Sequence, residues 1–185
     1  MVEKHVSPIA RLYSKDELDR FFSENPLAGA EYDITYLGFA DPYVVVSEIA
    51  DKSMSIYDVG CCLGLQARFF RDFADYTGID YPRSVILEGY PPYKDAWDLF
   101  DDVPGRFVAH EGAFFLENLA ATSDEEERAG MLVIVSAVPD AKVADTAHAL
   151  FPNVFSWYPG QAARVRGHRA DAICEAFEAR RAKWN

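Results

Sequence analysis

The chain has 185 residues, of which half are hydrophobic and 26% are charged. This composition is typical of a globular domain and excludes an intrinsically disordered or collagen-like chain. Asp and Glu outnumber Lys and Arg by 30 to 18, which gives a formal net charge of −12. Broad contact with nucleic acid is therefore unfavourable, because phosphate binding needs clustered cations.

Neither a membrane span nor a secretory signal is evident in the sequence. The longest apolar run, 131–138, is much shorter than the roughly 18 residues that a bilayer crossing needs. The N-terminus lacks an apolar core followed by a cleavage site. Cys61, Cys62 and Cys174 do not have the spacing of a disulfide framework or a zinc site, and we interpret the adjacent pair as small, half-buried residues. We expect one cytoplasmic domain, 1–185, without membrane or metal.

Residues 1–53 are predicted to form a helical cap or lid over the rest of the domain. Ser14 is placed to N-cap a first helix, and an aromatic-rich loop follows at 30–40. A second helix is predicted to begin at Asp41 and Pro42, because Asp is a favoured N-cap and proline a favoured first helical residue.

Residues 54–185 alternate between short apolar segments and helical segments. Strands are predicted at 56–59, 76–80, 106–109, 132–136 and 153–158. Helices are predicted at 65–73, 95–100, 113–121, 140–150 and 161–182, with a solvated acidic turn at 123–128. This alternation is typical of βαβ units and predicts an α/β fold, a three-layer, doubly wound and mainly parallel sheet of about five strands in the order 3-2-1-4-5.

The turn after the first predicted strand has the clearest functional pattern. Asp58 lies two residues before Gly60, and Gly64 follows four residues later. Ligands of open parallel sheets bind at the carboxyl ends of the strands, where small residues let a cofactor approach the backbone. Asp80 ends the second strand, so its carboxylate is placed to bind both hydroxyls of a ribose.

Two cofactor classes fit such a turn to different degrees. A dinucleotide fingerprint needs glycine at offsets 0, 2 and 5. Counted from Gly60, these offsets are occupied by Gly60, Cys62 and Leu65. A nicotinamide-dependent oxidoreductase is therefore the less favoured hypothesis. The other class has small residues at offsets 0, 2 and 4, which Gly60, Cys62 and Gly64 occupy.

The segment Ile-Tyr-Asp-Val-Gly-Cys-Cys-Leu-Gly-Leu-Gln resembles the first motif of class I S-adenosylmethionine-dependent methyltransferases, acid-x-Gly-x-Gly-x-Gly. Tyr-Thr-Gly-Ile-Asp-Tyr resembles their second motif. The resemblance covers residues 40–160 and implies a Rossmann-like fold that binds S-adenosylmethionine or S-adenosylhomocysteine. It implies a cofactor site made of Asp58, Gly60, Cys61, Cys62, Gly64, Asp80, Tyr81 and Glu111. In this set Asp58 organises the turn, Asp80 binds the ribose and Tyr81 flanks the adenine.

Three features depart from the family pattern. Cys62 replaces the middle glycine, and the residues after strand four, Ser-Ala-Val-Pro, are not the Asn/Asp-Pro-Pro-Tyr of enzymes that methylate nucleic-acid amines. No counterpart of the family's sixth and seventh strands is evident, so the chain is expected to end with strand five and one helix.

The acceptor is expected to be a small molecule or a protein, contacted by Ser136, Tyr158 and Tyr36. No catalytic residue is indicated. A non-catalytic protein on the same fold, whether cofactor binder or interaction protein, is the alternative to a methyltransferase.

Overall fold

The computed structural model describes residues 42–61, 64–80, 105–136, 138, 140–158 and 161–182. Its strands are β1 (Ser55–Val59), β2 (Asp75–Asp80), β3 (Arg106–Ala109), β4 (Met131–Ser136), β5 (Val154–Trp157) and β6 (Arg164–Arg166). Its helices are α1 (42–49), a 3-10 helix (Leu65–Phe70), α2 (Gly112–Thr122), α3 (Glu125–Ala129), α4 (Ala141–Leu150) and α5 (Ala170–Arg181). In the described ranges the strands form one sheet in the order β3-β2-β1-β4-β5-β6, in which only β6 runs antiparallel to its neighbour.

Helices cover both faces of this sheet, which explains why β4 is apolar from Met131 to Val135. On one face α1, the 3-10 helix and α5 contribute Val45, Phe70 and Phe177 to a core that includes Phe155 of β5. Burial of each phenylalanine contributes about 2 to 3 kcal/mol. The predicted three-layer, doubly wound, Rossmann-like fold is confirmed.

The opposite face of the sheet is covered by α2 and α4. Leu116 and Val143 pack there against Val133 and Val135, which alternate along β4 with the side chains of the first core. Among the helices of the described ranges, none combines the length and apolarity needed to cross a bilayer.

Helix α1 is part of the first core layer, because residues 42–46 are all buried. It occupies the position that the sequence predicts for the second helix of the cap. Residues 1–41, including the first cap helix and the aromatic loop, lie outside the described residues, as does the predicted helix at 95–100. The cap itself therefore stays a prediction.

The prediction that the chain ends with strand five and one long helix over 161–182 is wrong. Residues 164–166 pair with β5 instead, and the backbone turns sharply before α5 begins. Gly167 has φ +102° and Arg169 has φ +57°, both in the left-handed region, which a continuous α-helix does not contain. The predicted long helix is therefore interrupted at 167–169. Residues 164–166 form their backbone hydrogen bonds with the edge of β5 instead.

Two further segments differ from the predictions. The acidic turn at 123–128 is the short helix α3, in which the Asp124 side chain accepts from Glu127 N and the Glu127 side chain accepts from Asp124 N. This reciprocal capping box offsets the repulsion among the three glutamates of the first turn. The same negative charges also interact favourably with the positive end of the helix dipole. The predicted helix at 65–73 is a 3-10 helix that ends at Phe70.

Asn153 ties together the start of β4, the start of β5 and the turn after β6. Its side-chain amide donates to the carbonyls of Ala129 and Met131, and its Oδ1 accepts from His168 N at 2.9 Å. We expect Asn153→Ala to lower the free energy of unfolding by about 2 kcal/mol, because three part-buried hydrogen bonds are lost. Asn118→Ala is the matched control, since Asn118 makes one exposed bond within α2. Urea denaturation measures the free energy of unfolding of both variants. Equal losses would contradict the role assigned to Asn153.

Candidate functional site

The turn after β1 lies where the strand order changes direction. β2 and β4 flank β1 on opposite sides, so this turn occupies the topological switch point at which ligands of open α/β sheets bind. Val59 is in register with Ile79, which places Gly60 beside Asp80 at the carboxyl edge. Gly60 N donates to the Ile79 carbonyl at 2.8 Å and holds the turn against β2.

Asp80 lies at the end of β2, as predicted, with a half-buried side chain. Its main-chain carbonyl accepts from His110 N at 3.0 Å, which fixes the adjacent end of β3. The structure therefore brings Gly60 and Asp80 together at one edge. Cys62, Tyr81 and Tyr36 lie outside the described residues.

Gly60 cannot be replaced without strain, for two independent reasons. Its φ is +81°, in the left-handed region that side chains disfavour. A Cβ at this position would also overlap Cγ2 of Val138, which follows β4. The side of Gly60 that a Cβ would occupy is thus filled by Val138, so a ligand at this edge would have to reach the backbone beside that contact.

Asp58 is fully buried beneath the turn, where three side chains donate hydrogen bonds to its carboxyl group. Tyr76 Oη and Gln66 Nε2 donate to Oδ2 at 2.5 and 2.8 Å, and Tyr43 Oη donates to Oδ1 at 3.1 Å. Burial raises the pKa of Asp58 to about 7, although the three hydrogen bonds lower it, and Asp80 raises it further. This carboxyl therefore takes up or releases its proton near neutrality, in contact with protein groups rather than solvent.

Gln66 connects this carboxyl to the turn itself. The same Nε2 that donates to Asp58 also donates to the Cys61 carbonyl at 2.7 Å, so the two bonds use both amide hydrogens. Asp58 thus acts on the turn through Gln66. The sequence did not predict a role for Gln66, Tyr43 or Tyr76. The available indication of a site role was the position of Gln66, a glutamine in an apolar helical segment eight residues after Asp58.

The side chains of Cys61 and Glu111 both interact with other parts of the protein. The Cys61 side chain is buried and packs over Gly78 of β2. It is therefore fully buried rather than half-buried as expected from sequence. Glu111 is the N-cap of α2, where its two carboxyl oxygens accept from Ala113 N and Phe114 N at 3.1 and 2.7 Å. A ligand at this edge would therefore interact mainly with the backbone of Cys61 and with the negative charge of Glu111.

The two described acceptor candidates lie in different surroundings. Ser136 is buried at the end of β4, next to the Asp58 cluster. Burial raises the pKa of Tyr43 well above its usual value, and the Ser136 hydroxyl acts in the opposite direction. Ser136 Oγ nevertheless makes no hydrogen bond of good geometry with the described part of the chain. Tyr158, just after β5, is 37% exposed.

No group of three or more His, Cys, Asp or Glu side chains is arranged to hold a metal ion within the ranges that the structure describes. Among the described residues, the edge around Gly60 combines a glycine turn in the left-handed region with the residue Asp80.

The chain is similar to solved methyltransferase structures at low identity. It is 14% identical to the plantazolicin methyltransferase BpumL in complex with SAH, with a TM-score of 0.39, over 83% of this chain and 57% of that one. A Staphylococcus aureus protein provisionally named caffeoyl-CoA O-methyltransferase is 13% identical, with a TM-score of 0.41, over 92% and 81% of the two chains. A Corynebacterium glutamicum protein is 16% identical, with a TM-score of 0.39, over 90% and 79%.

No protein-family model and no curated protein sequence matches the chain. At the identities and TM-scores of the solved structures, the similarity carries no functional conclusion. The fold assignment rests on the strand order and on the helices that cover both faces of the sheet.

Proposed function

We propose that the protein binds S-adenosylmethionine or S-adenosylhomocysteine at the carboxyl ends of β1 and β2 and transfers a methyl group to a small-molecule or protein acceptor. The observation that carries the proposal is that the β1–β2 register places the Gly60 turn beside Asp80 at the switch point. A carboxylate there is suited to accept from both ribose hydroxyls. The cytoplasmic location remains a prediction from the sequence.

The residues of this edge fit such a cofactor in their chemistry. Bound S-adenosylmethionine supplies a methyl group on a sulfonium, which the protein needs only to align with an acceptor. Asp80 would hold the sugar, and the Gly60–Gly64 turn would support the methionine part, with Asp58 and Gln66 fixing that turn from below. Cys62 and Tyr81 remain candidates by resemblance only.

Ser136 supports an acceptor site near the end of β4. Its buried hydroxyl has no well-formed hydrogen bond with the described residues, and a ligand or a water molecule would supply one. Tyr158 and Tyr36 complete the proposed acceptor contacts. Cofactor binding at this site without methyl transfer would support the alternative, a non-catalytic cofactor binder.

Asp80→Ala tests the cofactor site directly. We expect calorimetric titration with S-adenosylhomocysteine to show saturable binding to the unmodified protein and at least tenfold weaker binding to Asp80→Ala, because two hydrogen bonds to a charged group are lost. Asp75→Ala is the matched control, since Asp75 begins the same strand at the opposite edge and pairs with Arg106 at 2.8 Å.

The outcomes separate the candidate functions. Binding of NAD in place of S-adenosylhomocysteine would support an oxidoreductase. Absence of binding to either ligand, or equal weakening by Asp80→Ala and Asp75→Ala, would refute the proposed site. If S-adenosylhomocysteine binds, a screen of acceptors for methyl transfer distinguishes an enzyme from a binder.

A further inference from the structure

The buried carboxyl group of Asp58 lies beneath the glycine turn without a cationic partner among the described residues. Tyr43, Gln66 and Tyr76, which donate hydrogen bonds to it, are all uncharged. These three bonds stabilise the ionised carboxylate, but none of them neutralises its charge. A carboxylate buried in this way is costly unless an opposite charge comes close. A cation that reaches the turn would therefore favour the ionised form of Asp58.

The titratable groups around this carboxyl group come from α1, the turn and β2. Burial raises the pKa of Tyr43 on α1 and of Tyr76 on β2 well above the usual value, so both phenols stay protonated at neutral pH. In the turn, the Cys61 thiol lies close to the same two phenols. Asp80, at the end of β2, raises the pKa of Asp58, whereas a positive charge at the turn would lower it. Near neutral pH, the charge on Asp58 therefore responds to the charge of a ligand at the turn.

A short path connects this carboxyl group to the turn. Consecutive Cα atoms are about 3.8 Å apart, so the Cα atoms of Asp58 and Gly60 lie within about 8 Å of each other. Gln66 Nε2 bridges Asp58 Oδ2 and the Cys61 carbonyl, which also accepts from Gly64 N at 2.8 Å. At a separation of about 10 Å and an effective dielectric constant of about 20, the attraction between two unit charges changes an affinity about tenfold. A cation on the turn and the Asp58 carboxylate are close enough to affect each other to this extent.

We propose that the charge of Asp58 lets the site distinguish S-adenosylmethionine, which carries a sulfonium, from S-adenosylhomocysteine, in which the same sulfur is a neutral thioether. With a sulfonium at the turn, Asp58 releases its proton to solvent and the carboxylate stabilises the cation. With a thioether in its place, Asp58 keeps its proton or takes one back from solvent. Asp58 acts through its charge and touches neither ligand. The inference rests on the proposed function, because both ligands must bind at the Gly60 turn.

Calorimetric titrations of the full chain with both ligands, from about pH 5.5 to about pH 8, test this selectivity. We expect the affinity for S-adenosylmethionine, divided by that for S-adenosylhomocysteine, to rise about tenfold over this range. The rise follows because the protonated carboxyl group, which predominates at low pH, has no charge with which to attract the sulfonium. Titrations in two buffers of different ionisation enthalpy count the protons released. At about pH 6.5, S-adenosylmethionine should release about half a proton more than S-adenosylhomocysteine.

Variants identify the group responsible. Asp58→Asn is expected to make the affinity ratio independent of pH. Asp75→Asn is the matched control, because Asp75 lies at the other end of β2 and pairs with Arg106, and it should keep the tenfold rise. Tyr76→Phe removes the 2.5 Å donor that stabilises the carboxylate, so the midpoint of the rise should move to higher pH. Thermal unfolding checks that each variant folds, and the Tyr76→Phe shift tests the assignment if Asp58→Asn does not fold.

The outcomes separate this inference from the proposed function. Absence of binding by both ligands would refute the two together. Saturable binding of both ligands with an affinity ratio that does not change with pH, or a rise that persists in Asp58→Asn, would overturn the inference and leave the cofactor site standing. A midpoint that Tyr76→Phe does not move would also exclude Asp58 as the titrating group.

Discussion

The unfolding free energy of Asp58→Asn is expected to rise relative to that of the unmodified protein as the pH rises from about 4 to about 8. Burial raises the pKa of Asp58 from 3.8 to about 7 in the folded state. Between these values the folded protein holds a proton that the unfolded chain has released, so stability is present at low pH and lost as pH rises. A gap of about three pH units between the folded and unfolded pKa values corresponds to about 4 kcal/mol. Asparagine cannot ionise and does not show this loss.

The measurement is the difference in unfolding free energy between the two proteins, from urea titrations at several pH values. Titrations shared by both proteins cancel in this difference. Tyr76→Phe is the companion variant, because it removes the 2.5 Å donor to Asp58 and should raise the pKa of the carboxyl further. Carbon-13 chemical shifts of Asp58 should titrate near pH 7. A difference that is constant over this range would show that Asp58 is ionised in the folded protein at all these pH values.

Gly60→Ala is expected to lower the free energy of unfolding by about 4 kcal/mol. A left-handed backbone costs an L-residue roughly 1 to 2 kcal/mol, and overpacking against Val138 adds roughly 1 to 3 kcal/mol. Gly130→Ala is the matched control, because Gly130 has φ −83° and its added Cβ would meet only Glu127 O at 3.5 Å. Its effect should stay within about 1 kcal/mol.

A double-mutant cycle separates the two contributions at Gly60. Val138→Ala shortens the side chain that the new Cβ would overlap, so it should recover the steric part and leave the backbone part. Chemical denaturation of the four proteins gives the coupling free energy, expected to be about 2 kcal/mol. Simple additivity would mean that Val138 does not pack on Gly60.

Segments with strong local patterns are predicted to within a residue or two. β3 spans Arg106–Ala109 as predicted, and Asp140 caps α4 through its bond to Lys142 N. The continuous apolar run of β4 correctly indicates a strand buried on both faces. Asp80 is predicted at the end of β2 because the apolar segment has a clear boundary there, and the strand order then sets it beside Gly60.

Other features depend on contacts that no local pattern encodes. β6 has three residues, too few for a periodic pattern, and its pairing with β5 comes from tertiary structure. The donors to Asp58 come from α1, the 3-10 helix and β2, so only the fold brings Tyr43, Gln66 and Tyr76 together. The error at 123–128 was avoidable, because Asp124 and Glu127 have capping-box spacing.

Val138 belongs to two environments at once, since its Cγ2 abuts Gly60 and its side chain also lines a groove beside α4. Any substitution of Val138 would therefore alter the wall of the groove and the support of the Gly60 bend together.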